Sequence, residues 1–321
     1  MNTDRHRFKK SVGLIRVHLC SSVVSFLLAF VCVLAVCVGC SAEENETQSL
    51  PPKFAKLLPL HTKLGKPNPG DWLDQHLELG QTYKQYLRSN PVRADRRRSV
   101  LYVQPLGDFS PSERKIIDQA TEFLGVYFQL PVKTRDGLSL DLIPQTARRN
   151  PGGQRSEQVL STYVLDDVLK PRLPKDAVVL IAFTTIDLWP GEGWNYVFGQ
   201  ASLADRVGVW SIHRYGDPAA GDEAFRRCLL RTLKTATHET GHMFSIPHCT
   251  FYECNMCGSN NLPEADRRPL EPCPVCLAKL CYATGADPAK RFQKLIEFHK
   301  THGLKPEQEF CEKSLAALKG K

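Results

Sequence analysis

Apolar residues recur along this chain with two different periods, and the changes from one to the other mark out its elements. SVLYVQPLG (99–107) alternates β-branched and aromatic residues with others, as a half-buried strand does. QLPVKT (129–134) reads as a second, short strand, and NYVFGQASL (195–203) and RVGVWSIHRY (206–215) as two more. AVVLIAF (177–183) is apolar without interruption, the pattern of a central strand buried on both faces. Between them the period lengthens. From Pro111, residues Ile116, Ile117, Ala120, Phe123 and Leu124 form one helical face, with Ser110 and Glu113 at capping-box spacing ahead of it. SEQVLSTYVLDDVLK (156–170) follows the Pro/Gly-rich RRNPGGQR as a second helix, and GDEAFRRCLLRTLKTATHETGHMF (221–244) is a long third one with Asp222 near its start. WLDQHLELGQTYKQYLRS (72–89) holds one or two more. Strands alternating with helices predict an α/β (α+β) fold, a mixed twisted sheet packed with helices.

The first forty residues break this pattern. RHRFKKSVGLIR (5–16) precedes LCSSVVSFLLAFVCVLAVCVG, an uncharged apolar run from Leu19 to Gly39 that suits an export signal or a membrane span. Its end, VCVGC before SAEENETQS, resembles a bacterial lipoprotein signal and makes Cys40 the candidate lipid-bearing residue, although Cys37 stands where that pattern has an aliphatic residue. The expected organisation is a signal or anchor at 1–40, a linker at 41–54 containing Pro51-Pro52, and one domain at 55–321. Its expected place is outside the cytoplasm, on the membrane of the cell envelope. Net charge is +8 over 321 residues, and five bases against Asp4 in the leader supply +4 of it. RADRRR (93–98) is the one dense basic cluster, too little for a nucleic-acid partner.

The candidate chemistry lies in THETGHMFSIPHCTFYECNM (237–256). His238 and His242, four apart on the long helix, share a face. Glu239 lies about 100° round from His238, near an ion without necessarily binding it. This is the HExxH arrangement of zinc hydrolases, in which the glutamate is the general base. The helix has to stop before Pro247, after which the chain delivers His248 as a third nitrogen ligand and leaves a tetrahedral zinc one position for water. Eight of the twelve cysteines follow the leader, six of them within 249–281. An exported chain could pair them as disulfides, whereas CxxC spacing suits a metal.

These residues resemble a family. HETGHMFSIPHC follows the metzincin motif HExxHxxGxxH, and the cysteines of CTFYECNM and CPVC, with LGKPNPGDWLDQHLELGQTYKQYLRSNPV, LYVQPLGDFS and SNNLPEADRRPLEPCPVCLAKLCYA, resemble the archaemetzincins over residues 55–285. The resemblance implies a metzincin-like fold with a Cys-rich C-terminal subdomain, and a zinc metallopeptidase acting on peptides. It implies two zinc ions: a catalytic one on His238, His242 and His248 with Glu239 as base, and a structural one on Cys249, Cys254, Cys273 and Cys276. Met256 matches the methionine of the turn beneath the metal. NYVFGQASL is the candidate edge for an extended peptide. Ser245 departs from the family's glycine, and a left-handed serine costs about 1 kcal/mol. That departure motivates the alternative of a zinc-stabilised peptide-binding protein without turnover. Cys228, Cys257, Cys281 and Cys311 receive no role.

Overall fold

A computed structural model describes residues 49–152 and 156–320; the leader at 1–40, with Cys40, lies outside the described residues. The uninterrupted apolar run becomes the middle of the main sheet. Strands β1 (Val100–Leu106), β2 (Val132–Thr134), β3 (Arg148–Arg149), β4 (Gln158–Leu160), β5 (Ala177–Thr184), β6 (Asp187–Trp189), β7 (Gly199–Ala201) and β8 (Val207–Ser211) form two sheets. The larger has the order β2-β1-β5-β8-β7, and the smaller β3-β4-β6. Every residue of β5 is buried, with parallel neighbours β1 and β8 on either side. Within the larger sheet β7 alone runs antiparallel, at the edge. The architecture is the expected mixed α/β one.

Helices cover the sheet: α1 (Tyr83–Arg88), α2 (Pro111–Phe128), α3 (Asp222–Met243), α4 (Pro274–Thr284), α5 (Pro288–Thr301) and α6 (Lys305–Lys319). The capping box at Ser110 forms as its spacing predicts, with the serine hydroxyl accepting from Glu113 N and the glutamate accepting from Ser110 N. α3 packs against both α2 and β8. The residues of α4, including Cys273 at its N-cap and Cys276, share one core with α2 and α3.

Two elements differ from expectation. The helix expected at 156–170 begins as strand β4, then becomes a short helix, Ser161–Tyr163, running into a π-helical stretch, Val164–Leu169. Pairing decides this: β4 lies parallel to β6 with Val159 opposite Leu188, and the Gln158 amide donates to Asp187 at 2.7 Å. NYVFGQASL does not form one strand. Val197 bridges to Leu188 of the small sheet while Gly199–Ala201 pair with β8, so the segment bends to serve both. The segment expected as a linker is described from Ser49 onward, and there Leu50 and Phe54 are buried in the core.

A buried ion pair holds the C-terminal helices to the rest. Arg291 of α5 is fully buried, its guanidinium 2.6 and 3.2 Å from the Glu271 carboxylate, and its Nε donates to the Tyr127 carbonyl at 2.9 Å. The Glu271 carbonyl in turn accepts from Asn255 N. Arg291→Leu should leave Glu271 buried without its cation and lower stability by about 3–5 kcal/mol. Denaturant unfolding measures this, and a cost below about 1 kcal/mol would show that the pair does not anchor the helix.

Candidate functional site

α3 ends in a reversal that the site depends on. The Ile246 amide donates to the Gly241 carbonyl and the Ser245 amide to the His242 carbonyl, the two bonds of a Schellman motif with Phe244 as C-cap. That motif needs a left-handed residue after the cap, and Ser245 takes it, with φ 61°. Two hydrogen bonds from the serine hydroxyl offset the strain: Oγ donates to the Leu203 carbonyl at 2.7 Å and accepts from Val92 N at 3.2 Å. A glycine there would be relaxed but could make neither bond.

Past the reversal, His248 comes back over α3. The rings of His238 and His242 lie 5.3 and 5.0 Å from that of His248. Each histidine is oriented through Nδ1. His238 Nδ1 donates to the Asn255 carbonyl at 2.7 Å, His242 Nδ1 to the Ile246 carbonyl at 2.7 Å, and His248 Nδ1 to the Glu78 carboxylate at 2.8 Å. Carbonyl and carboxylate oxygens only accept, so the protons are on Nδ1 and the Nε2 atoms carry lone pairs. Nε2 of His238 and Nε2 of His242 are 2.9 Å apart. Two facing lone pairs at that distance repel unless a cation sits beside them, and tetrahedral zinc asks for nitrogens about 3.3 Å apart. Burial pushes His238 down to about 4 and His242 well below its ordinary value. Both rings are therefore neutral and ready to bind metal near pH 7.

Glu239 is buried beside them, 7% exposed, and burial pushes its carboxyl up to about 8. Its carboxylate backs onto Gly199 of β7, where a Cβ would fall 2.8 Å from the side chain. Gly241 makes a second close approach, since a Cβ there would lie 2.6 Å from the sulfur of Met256. Met256 thus packs directly against the helix turn carrying the histidines.

The four cysteines form a second cluster. Cys249, Cys254, Cys273 and Cys276 are buried, and their sulfurs lie within 4.8 Å of one another. The Cys249 and Cys273 sulfurs are 3.7 Å apart, far beyond a disulfide bond but close to the edge of a tetrahedron around zinc, about 3.8 Å for Zn–S near 2.3 Å. The eight described cysteines are all free thiols. Cys254 Sγ accepts from Met256 N and Cys273 N, which ties the cluster to the turn below the histidines.

Sequence reasoning missed several neighbours of the site. Glu78 comes from a loop remote in sequence and belongs to no motif; HLELG carries only its alternation as a signal. Trp72 lies 5.0 Å from the His248 ring and 4.0 Å from His76, and Trp194 stacks over both Trp72 and His76. Beside β7, a cavity of about 480 Å³ is lined by Asp187, Tyr196, Phe198, His213, Arg214 and Asn261. The Arg214–Asp187 pair in its wall is bidentate, at 2.8 and 2.6 Å.

Comparison with known proteins bears on this geometry. A model of peptidase family M54 matches residues 158–281. The chain is similar to archaemetzincin-2 of Homo sapiens, 34% identical over 278 residues that cover 75% of this chain and 76% of the human protein. It is equally similar to archaemetzincin-2 of Pongo abelii, 34% identical with 76% and 77% covered. A crystal structure of archaemetzincin from Methanopyrus kandleri overlaps 59% of this chain and 97% of its own, at 28% identity and a TM-score of 0.48. These relatives correct the expected export and membrane anchoring as a bacterial lipoprotein. Archaemetzincin-2 of Homo sapiens and of Pongo abelii are mammalian proteins. Among the described residues, which do not include the leader, no helix is long and apolar enough to cross a membrane.

Ser245 supplies a test of the reversal. Ser245→Ala keeps the left-handed strain and loses both bonds, so it should cost about 1–3 kcal/mol. Ser245→Gly gains about 1 kcal/mol of relief but loses the same bonds, and should end no more stable than the parent. Thermal unfolding of the three proteins decides; a clearly stabilised glycine variant would mean that the hydroxyl compensates nothing.

Proposed function

The chain belongs to the archaemetzincins and is a zinc metallopeptidase, and on that footing we propose that His238, His242 and His248 hold its catalytic zinc, with Glu239 as general base. The observation that carries this is the 2.9 Å approach of two ring nitrogens that both present lone pairs. Cys249, Cys254, Cys273 and Cys276 would hold a second, structural zinc, because four thiolates close a tetrahedral site and leave no place for substrate.

When bound, the catalytic zinc polarises the scissile carbonyl and acidifies the attacking water. The remaining work falls to the chain. Glu239 takes a proton from the water as its oxygen bonds to the carbonyl carbon, and passes that proton to the amine nitrogen as the C–N bond breaks. Burial suits it to this, because a carboxylate whose pKa is raised, here to about 8, is the stronger base. Gly199 leaves room for the carboxylate, and the free edge of β7 offers main-chain groups to an extended peptide laid across the site. The cavity beside Phe198, the residue before Gly199, gives a peptide side chain somewhere to go. The rival reading, a binding protein without turnover, depends on Ser245 spoiling the turn; the intact reversal and the retained Glu239 favour turnover.

Metal analysis of the purified protein should find two zinc ions, falling to one in His248→Ala. A single zinc in the parent would sink the two-site reading. Glu239→Gln should keep both ions while peptide hydrolysis falls by about 100-fold or more. Full activity in that variant would remove Glu239 from the role of base. Gly199→Ala, which crowds Glu239 without touching a ligand, should retain both ions and lose on the order of 100-fold in kcat. Unchanged kcat there would show that the carboxylate has slack against β7.

A further inference from the structure

Two of the three histidines find their Nδ1 acceptors on nearby main chain. His242 uses the carbonyl of Ile246, four residues on, and His238 that of Asn255, in the turn just beyond the motif. His248 is different. Its acceptor is a carboxylate, Glu78, delivered from a loop 170 residues away.

The loop's design points to that carboxylate. Leu77 is 96% exposed and Leu79 88% exposed, while Glu78 between them turns inward to His248. The hydrophobic effect cannot be what seats this segment, because turning it over would bury two leucines and expose one acid. It is fixed instead from both ends. On one side His76 stacks on Trp72, which itself packs against the His248 ring. On the other, Gly80 backs onto Thr250 and Phe251, and the buried Lys279 ammonium donates to the Gln81 carbonyl. The second carboxylate oxygen, Oε2, is buried and has no hydrogen-bond partner among the described residues. A chain that exposes two leucines and buries half of a carboxylate to reach one imidazole gains orientation and charge at that imidazole.

We propose that Glu78 is a positioning residue for the catalytic ion: through His248 Nδ1 it fixes the ring with Nε2 toward the other histidines and adds negative charge to the ligand set. An imidazole hydrogen-bonded to a carboxylate is a more basic ligand than one bonded to a neutral carbonyl, and loss of such a partner weakens metal binding about 10–100-fold. His248 lies on the far side of the Ser245 reversal and is the one ligand outside α3, so it has most need of an external brace. The inference rests on the reading that the three histidines bind zinc. Glu78 makes no contact with the reacting atoms and takes no part in proton transfer.

The test is zinc affinity, site by site, measured on the full chain by chelator competition, with Glu78→Gln and Glu78→Ala beside the parent. Glu78→Gln keeps an acceptor and loses the charge; Glu78→Ala loses both. The zinc of the three histidines should dissociate more readily in both variants, by about 10–100-fold in the alanine protein and less in the glutamine one. The zinc of the four cysteines should be unaffected in either. Wild-type affinity at the histidine site in both variants would overturn the proposal, as would an equal loss at both sites, which marks a structural role for the loop. A parent that holds no second zinc would defeat the underlying reading instead, a result that cannot be confused with the other two.

Discussion

One backbone reversal governs the rest of the site. α3 can present His238 and His242 because its face is fixed against α2 and β8, but a helix cannot curl round to bring a third histidine to the same point. The chain has to leave α3 within about one turn of His242 and return. The pair of hydrogen bonds from Ser245 and Ile246 to the last carbonyls of α3 accomplishes this, at the cost of one left-handed residue. The serine hydroxyl adds ties to Leu203, in the turn between β7 and β8, and to Val92. The element that places His248 is thereby also fastened to the turn beside the sheet edge.

Beneath the histidines, a chain of buried contacts runs from His238 to the C-terminal helices. His238 leans on the Asn255 carbonyl, the Asn255 amide on the Glu271 carbonyl, and the Glu271 side chain on Arg291 of α5. The two hydrogen bonds to main-chain carbonyls in this series contribute only about 1 kcal/mol net each. Their value lies in being buried, so that no member can move without leaving a partner unsatisfied. The C-terminal helices thus support the site without contributing to its chemistry.

How much of this was legible follows from the range of each interaction. His238, Glu239 and His242 could be read together because helical periodicity converts sequence spacing into spatial direction. β1, β5 and β8 were legible because each carries its own apolar pattern, whereas β7 was legible only in part, since NYVFGQASL bends between the two sheets. β4 was not: its helical-looking residues are held extended by pairing with β6, a partner 29 residues on, and no local pattern announces a parallel pairing. Glu78 was illegible for the same reason at greater range, since an acid flanked by leucines looks like any surface loop until the chain has folded. Ser245 was legible as an oddity but not as a solution, because its compensating partners, Val92 and Leu203, are assembled only by the fold.

His248 and Cys249 are neighbours in the chain, yet the first faces the histidine cluster and the second the cysteine cluster. A single peptide bond therefore keeps two separate constellations in phase. Substitutions around it can be absorbed one at a time, but a change of length cannot. Inserting or deleting one residue between Ser245 and His248 would put the wrong side chains toward both clusters at once. This stretch should therefore tolerate changes in composition among descendants of the gene and almost none in length.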